Sequence, residues 1–196
     1  MVSIRSILTG VVALLASSSA ASPVAALLAS SPPTPQEVVA DINQLTQKTQ
    51  ALQGTAQSIT PLNAPLIVLQ EGPFRDLVAG YADMVQSGKD LISDLDGFDP
   101  VAGPDADEIN TAFQEFAAAS RELHEVLIEK AGILFKIPII SHPVTMVMLL
   151  MEAVINSIAI LLMKGAPPRA DDLNTTALSL DAVLQQCVAK YYSIAM

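Results

Sequence analysis

The chain has 196 residues, 51% of them apolar and 15% charged, with a formal net charge of −10. That acid excess repels phosphate backbones and anionic headgroups, which argues against nucleic acid and acidic membranes as partners and leaves uncharged lipids and polysaccharides open. With five Phe, three Tyr and no Trp, the apolar content is mostly Ala, Leu, Ile, Val and Met, a mix that favours helices over a β-sandwich.

The N-terminus has the layout of a secretory signal. Arg5 precedes an apolar run from Ile7 to Leu15, and "ASSSAAS" (Ala16 to Ser22) offers cleavage after Ala20 or Ala21. The run is short for a membrane span. Residues 1–21 therefore read as a signal peptide and 22–34, with their prolines and small side chains, as a flexible leader. Residues 35–196 read as one helical domain.

Five helical patterns follow. The first covers about Pro35 to Ile59, with Val38, Ile42, Leu45, Thr49, Leu52, Ala56 and Ile59 on one face, Thr34 as cap and Glu37 in the first turn. "LIVL" (Leu66 to Leu69) is a lid or the start of the second helix. That helix runs from about Pro73 to Leu95, with Phe74, Leu77, Tyr81, Met84, Gly88, Leu91 and Leu95 as its stripe. "DLDGFDPVAGPD" (Asp94 to Asp105) is a turn region, and Asp105 with Glu108 resembles a capping box. The third helix then reaches about Ala131 along Ile109, Phe113, Phe116, Ser120, Leu123 and Leu127. "KIPIISHP" (Lys136 to Pro143) connects it to the fourth segment. "GAPPR" (Gly165 to Arg169) stops that segment, and the fifth helix spans about Ala170 to Ser193 on Leu173, Ala177, Leu180, Leu184, Cys187 and Tyr191. Period-two alternation is absent, and the short connections predict an all-α, antiparallel up-and-down bundle of about five helices.

"VTMVMLLMEAVINSIAILLMK" (Val144 to Lys164) raises a separate question. About 20 residues of helix measure roughly 30 Å, enough to cross a bilayer. Spanning through 144–163 would strand the fifth helix in the cytosol, away from its bundle, and would place Glu152 in hydrocarbon at a cost of several kcal/mol. Lys164 and Arg169 do follow it as positive-inside flanks would. A helix apolar all round is otherwise a buried one, so the segment is expected at the centre of the bundle, with Met146, Met148, Met151 and Met163 adaptable to a ligand or simply part of the core. Glu152 and Asn156, four apart, form either a solvent-facing stripe or the polar end-point of a groove. Thr49 and Gln53 on the first helix are further candidates of that kind.

Catalytic signatures are missing. "HEVLI" (His124 to Ile128) has Ile where a zinc-protease helix needs its second His, and there is no G-x-S-x-G elbow. The loop aspartates Asp94, Asp96, Asp99, Asp105 and Asp107 do not follow calcium-loop spacing and read as solvation and capping. No metal, cofactor or enzymatic activity is expected. Cys187 is the one cysteine, so no intrachain disulfide forms and a small buried apolar role is expected. Asn174-Thr175-Thr176 is a glycosylation sequon.

"VVADINQLTQKTQALQGTAQSI" (Val38 to Ile59), "PDADEINTAFQEFAAASRELHEVLIEKAGIL" (Pro104 to Leu134) and "LSLDAVLQQCVAKYYSI" (Leu178 to Ile194) together resemble the fungal hydrophobic-surface-binding protein family, also called antigenic cell-wall galactomannoproteins. The resemblance covers most of the domain and rests on helical patterns. It implies a secreted five-helix bundle that binds long-chain fatty acids in an apolar tunnel, adsorbs to hydrophobic surfaces and resides in the cell wall or medium. The fourth segment is greasier and richer in Met than the family pattern.

The resulting expectation is a monomeric, non-enzymatic lipid binder. Acyl chains would lie among Ile42, Leu45 and Leu52, Phe113, Phe116 and Leu127, Met148, Met151 and Ile155, and Leu180 and Leu184. Thr49, Gln53, Glu152 and Asn156 are the candidates for the headgroup. Two alternatives stand beside it: adsorption to hydrophobic surfaces with recruitment of secreted hydrolases, and membrane anchoring.

Overall fold

Helix α1 (Pro35–Gln57) starts where its sequence can satisfy the free backbone donors of a helix end. Thr34 is extended, its hydroxyl accepts from the Glu37 N–H at 3.2 Å, and its own N–H donates to Glu37 Oε2 at 2.7 Å. These bonds, the backbone one foremost, hold the Glu37 carboxyl below its ordinary pKa. The far end is capped from another helix: Lys130 Nζ donates to the carbonyls of Gln57 at 3.0 Å and Ile59 at 2.9 Å. The computed structural model describes residues 32–69, 71–134 and 141–195. The signal segment, most of the leader and the stretch 135–140 of the third connector lie outside the described residues.

"LIVL" is neither of α1 nor of α2. It belongs to a separate 3₁₀ turn (Ala64–Leu69), and the chain then reverses at Gly72, whose φ of 82° suits glycine. α2 (Pro73–Leu95) follows, with Pro at its first position. α3 (Pro104–Leu134) begins two residues earlier than the Asp105 cap predicts. Gly103, at φ 64°, receives the first helical bond from the Asp107 N–H at 3.1 Å, so Asp105 sits inside the first turn. α4 (Ser141–Gly165) takes in the end of the expected connector, and α5 (Ala170–Ala195) follows a 3₁₀ turn at Pro167–Arg169. No strand occurs among the described residues.

The helices form a ring in the order α1, α3, α5, α4, α2 and back to α1. Side-chain pairs fix the directions. Gln36 with Asp105 and Gln53 with Glu122 are both 69 residues apart, so α1 and α3 run parallel. Arg121 with Ser179 and Tyr191 with the Leu127 carbonyl make α3 and α5 parallel too. Lys48 reaches Asp83 at 2.7 Å, joining antiparallel α1 and α2, and Asn156 faces Asp181 across antiparallel α4 and α5. The chain still alternates up and down from one helix to the next, but neighbours in sequence are not always neighbours in space.

Two glycines let α2 approach both partners. A Cβ at Gly80 would strike Leu52 of α1, and one at Gly88 would strike Val154 of α4. The α2–α3 link crosses one end of the ring and is tied down there: the Val101 N–H donates to the Gly165 carbonyl at 2.7 Å, and Phe98 lies on Gly165.

The sequence places α4 at the centre of the bundle, and the structure corrects this. α4 is one member of the wall, packed chiefly between α2 and α5. Val144, Met148, Met151, Ile155, Ile158 and Leu162 face the core, while Met146, Leu149, Leu150 and Ile160 lie exposed, Ile160 at 50%. Five inward-facing stripes close a ring with no seat inside it for a whole helix. α4 remains the one helix among the described residues long and apolar enough to cross a membrane.

Candidate functional site

Each helix turns one stripe inward, and the stripes meet in a single apolar cluster. From α1 it takes Ile42, Leu45 and Leu52; from α3, Phe113, Phe116 and Leu127; from α4, Met148, Met151 and Ile155; from α5, Leu180 and Leu184. All of these candidate lining residues are buried and brought together. α2 contributes equally through Phe74, Leu77, Tyr81, Met84 and Leu91, although the sequence reading left it out of the lining. Its stripe is as regular as the others, and only the closed ring explains why it belongs. Small side chains recur on the inner wall at Thr49, Ala56, Ala106, Ser120, Ala131 and Cys187.

The four headgroup candidates separate. Thr49 is fully buried, but its hydroxyl returns to the Leu45 carbonyl at 2.8 Å and lies 3.8 Å from Met84 Sδ. Gln53 sits on the α1–α3 seam, donating to Glu122 at 3.3 Å near the surface. Glu152 and Asn156 are half-buried on the α4–α5 seam. Asn156 donates to Asp181 Oδ1 at 3.5 Å, while Gln185 donates to Oδ2 at 2.7 Å. Desolvation first, and the Asp181 charge second, raise the Glu152 pKa. Three of the four thus lie toward the outside of the ring. Asn174 is exposed in the first turns of α5.

The interior holds a different polar group. Tyr81 Oη lies 3.0 Å from His124 Nε2, with the rings edge to face, and His124 Nδ1 lies 2.6 Å from the Ser120 carbonyl. A carbonyl only accepts, so Nδ1 carries the hydrogen, Nε2 accepts, and the tyrosine hydroxyl donates. Burial pushes the His124 pKa down to about 4, so the ring is neutral at ordinary pH. Burial also raises Tyr81 and Tyr191, and drives the Cys187 thiol up to about 12. Tyr191 donates to the Leu127 carbonyl at 2.9 Å, and Cys187 Sγ lies 3.8 Å from Met148 Sδ. Among the described residues, two buried side-chain atoms have no partner, Ser120 Oγ and Asn110 Oδ1.

Sequence reasoning weighed His124 only as a failed zinc ligand. The signal for its real place was its position one turn beyond Ser120, on the edge of the inward stripe. Among the described residues no cluster of His, Cys, Asp and Glu is arranged to hold a metal ion. Asp107 of the acidic loop region pairs with Arg169 at 2.7 Å.

No protein-family model matches the chain, and no curated protein matches it in sequence. Solved structures do match in fold. The chain is similar to AfMp4p in complex with palmitic acid, with a TM-score of 0.73 at 10% identity over 81% of this chain and 99% of that one. It is similar to ligand binding domain 1 of the Penicillium marneffei MP1 protein complexed with arachidonic acids, with a TM-score of 0.70, 13% identity and coverage of 81% and 99%. Ligand binding domain 2 of the same protein, complexed with multiple arachidonic acids, gives 0.64 and 15%, over 80% and 92%. The chain thus shares its all-helical fold with proteins that hold fatty acids in their solved structures.

Proposed function

We propose that the protein is a secreted, non-enzymatic, monomeric binder of a long-chain fatty acid or a similar lipid, whose tail lies inside the ring of five helices. The observation that carries this reading is the closed apolar ring itself. Helices spaced about 10 Å apart in a five-membered ring have their axes about 8.5 Å from its centre, farther than the helix radius of about 5 Å. The axial strip is left for inward side chains or a hydrocarbon, and small residues on the wall favour the latter. The fold likeness to fatty-acid complexes supports it. Burial of a tail contributes about 0.8 kcal/mol per CH₂, reduced by ordering and by desolvation of the head.

Secretion and cell-wall residence belong to the same reading and rest on the N-terminal pattern and the family resemblance. Asn174 is proposed to carry a glycan; it is exposed, as an acceptor must be. Native mass spectrometry of the purified protein, together with uptake of a fluorescent fatty acid, tests the lipid reading. An acyl ligand or saturable uptake is expected. Absence of both would overturn it.

A second reading has its own observation. Met146, Leu149, Leu150 and Ile160 on the outer side of α4, with Leu178 at 61% and Tyr192 at 57% exposure on α5, present apolar surface to solvent. That face suits adsorption to a waxy surface, where the protein would recruit secreted hydrolases. Replacing Leu149 and Ile160 with Lys should then abolish retention on an alkyl-coated support and leave lipid uptake unchanged. Carbonate extraction of membranes tests anchoring through α4: a peripheral protein is released, a spanning one is retained.

A further inference from the structure

Ser120 is an exception among the buried helical hydroxyls. Thr46 and Thr49 send theirs back to the carbonyls of Ile42 at 3.0 Å and Leu45 at 2.8 Å, the ordinary solution for a hydroxyl inside a helix. Ser120 Oγ, on a residue only 1% exposed, bonds to nothing. It lies on the inward stripe of α3, seven residues from both Phe113 and Leu127, and one turn before His124. An orphaned buried hydroxyl gives up its bonds to water and gains none in return, so its burial calls for a partner.

The bonding of its neighbours defines what that partner can be. The Tyr81 hydroxyl spends its hydrogen on His124 Nε2 and keeps a free lone pair. Ser120 can donate and accept. Tyr191 and Thr49 have committed their hydrogens to carbonyls, and Cys187 directs its thiol at Met148. No cation is within the wall: every described lysine and arginine is exposed or half-buried. The titratable groups buried on the inner wall are Tyr81 from α2, His124 from α3, and Cys187 and Tyr191 from α5. From α1 and α4 come Thr49 and Met148, which do not titrate. An ionised carboxylate here would be a buried charge with at most one donor. A hydroxyl or a protonated carboxyl can both give and receive a hydrogen bond.

We propose that Ser120, beside the Tyr81–His124 pair, holds the polar end of the bound lipid, and that this end is an uncharged, hydroxyl-bearing group, supplied by a fatty alcohol or by a protonated fatty acid. The proposal rests on the lipid-binding reading above. From Ser120 the inner wall of α3 runs about 21 Å past Phe116, Phe113 and Ile109 to Ala106, room for a tail on one side of the head.

Competition binding with 1-hexadecanol, palmitic acid and n-hexadecane, on the wild type and on Ser120→Ala, tests it. The wild type should prefer 1-hexadecanol to n-hexadecane. Ser120→Ala should weaken 1-hexadecanol about five- to tenfold and leave n-hexadecane unchanged. Tail binding by both proteins with no such difference overturns the headgroup assignment alone; failure of the wild type to bind any of the three overturns the lipid reading with it. Carbon-13 NMR of carboxyl-labelled palmitic acid in the complex supplies a second readout. At neutral pH its signal should stand at the protonated position, and a carboxylate signal would sink the uncharged head.

Discussion

The Tyr81 hydroxyl donates to His124 Nε2 at 3.0 Å, joining α2 to α3, two helices that are not neighbours in the ring. The bond crosses the interior and requires His124 to be neutral. Protonation would replace the acceptor at Nε2 by a second donor, in a site with no carboxylate to receive it.

Stability should therefore fall in acid. The unfolded histidine titrates near 6.5 and the folded one at about 4. Between those values the unfolded chain binds a proton that the native state does not, so stability rises with pH across the window and is lost as pH drops through it. The shift amounts to a loss on the order of 3 kcal/mol. Asp41 and Glu152 act the other way, since desolvation raises both. Their stabilising contributions are present below their ordinary pKa values and lost as pH rises. Guanidinium unfolding at a series of pH values should show the His124 slope in the wild type and lose it in His124→Gln.

Ser120→Ala should make the ligand-free protein more stable by about 1 kcal/mol, because it removes a buried hydroxyl without a partner and adds a better helix former. With 1-hexadecanol bound, the gain should shrink or reverse. Thermal melts with and without the alcohol measure this; an equal gain in both conditions would leave the hydroxyl without a role in binding.

Helical glycines should respond in opposite directions. A Cβ at Gly54 meets open space, so Gly54→Ala is expected to stabilise by about 0.5–1 kcal/mol. A Cβ at Gly88 runs into Val154, a stiff β-branched side chain, and lies 3.6 Å from Ile158 Cδ1. Gly88→Ala should lose stability by about 1–3 kcal/mol as α2 is pushed off α4. Denaturant midpoints for the two variants settle the comparison.

Met148→Trp places a large ring on the inner wall beside Cys187. Fatty-acid uptake should drop severalfold while far-ultraviolet circular dichroism keeps its helical shape, at an overpacking cost of about 1–3 kcal/mol. Adsorption to an alkyl surface should persist, because the outer face of α4 is untouched. Undiminished uptake by a folded variant would remove Met148 from the lining.

The sequence carries the helices well and their arrangement poorly. Stripes at helical spacing mark all five, because each has one face that must leave water, and Thr34 with Glu37 shows α1's start by its chemistry. The Gly103 cap is harder to read, because Asp105 and Glu108 mimic the same signal two residues later. What periodicity leaves out is which stripe meets which: the pattern of α4 looks central, yet α4 is a wall with a greasy back. The interior polar group is likewise spread over α2, α3 and α5. Glu152 and Asn156 attract attention by interrupting an apolar run, whereas Ser120 reads only as one member of the α3 stripe and His124 only as a failed zinc ligand until the ring brings Tyr81 to them.

The order of helices around the ring also bears on how the chain reaches its native state. α1 rests on a partner 69 residues away, as Gln36–Asp105 and Gln53–Glu122 record, and α3 in turn on α5. Such distant pairings raise contact order above that of a bundle in which each helix packs only on the next, and folding slows accordingly. Until the last helix arrives to close the circle, the apolar sides of α1 and α3 stand open to other chains.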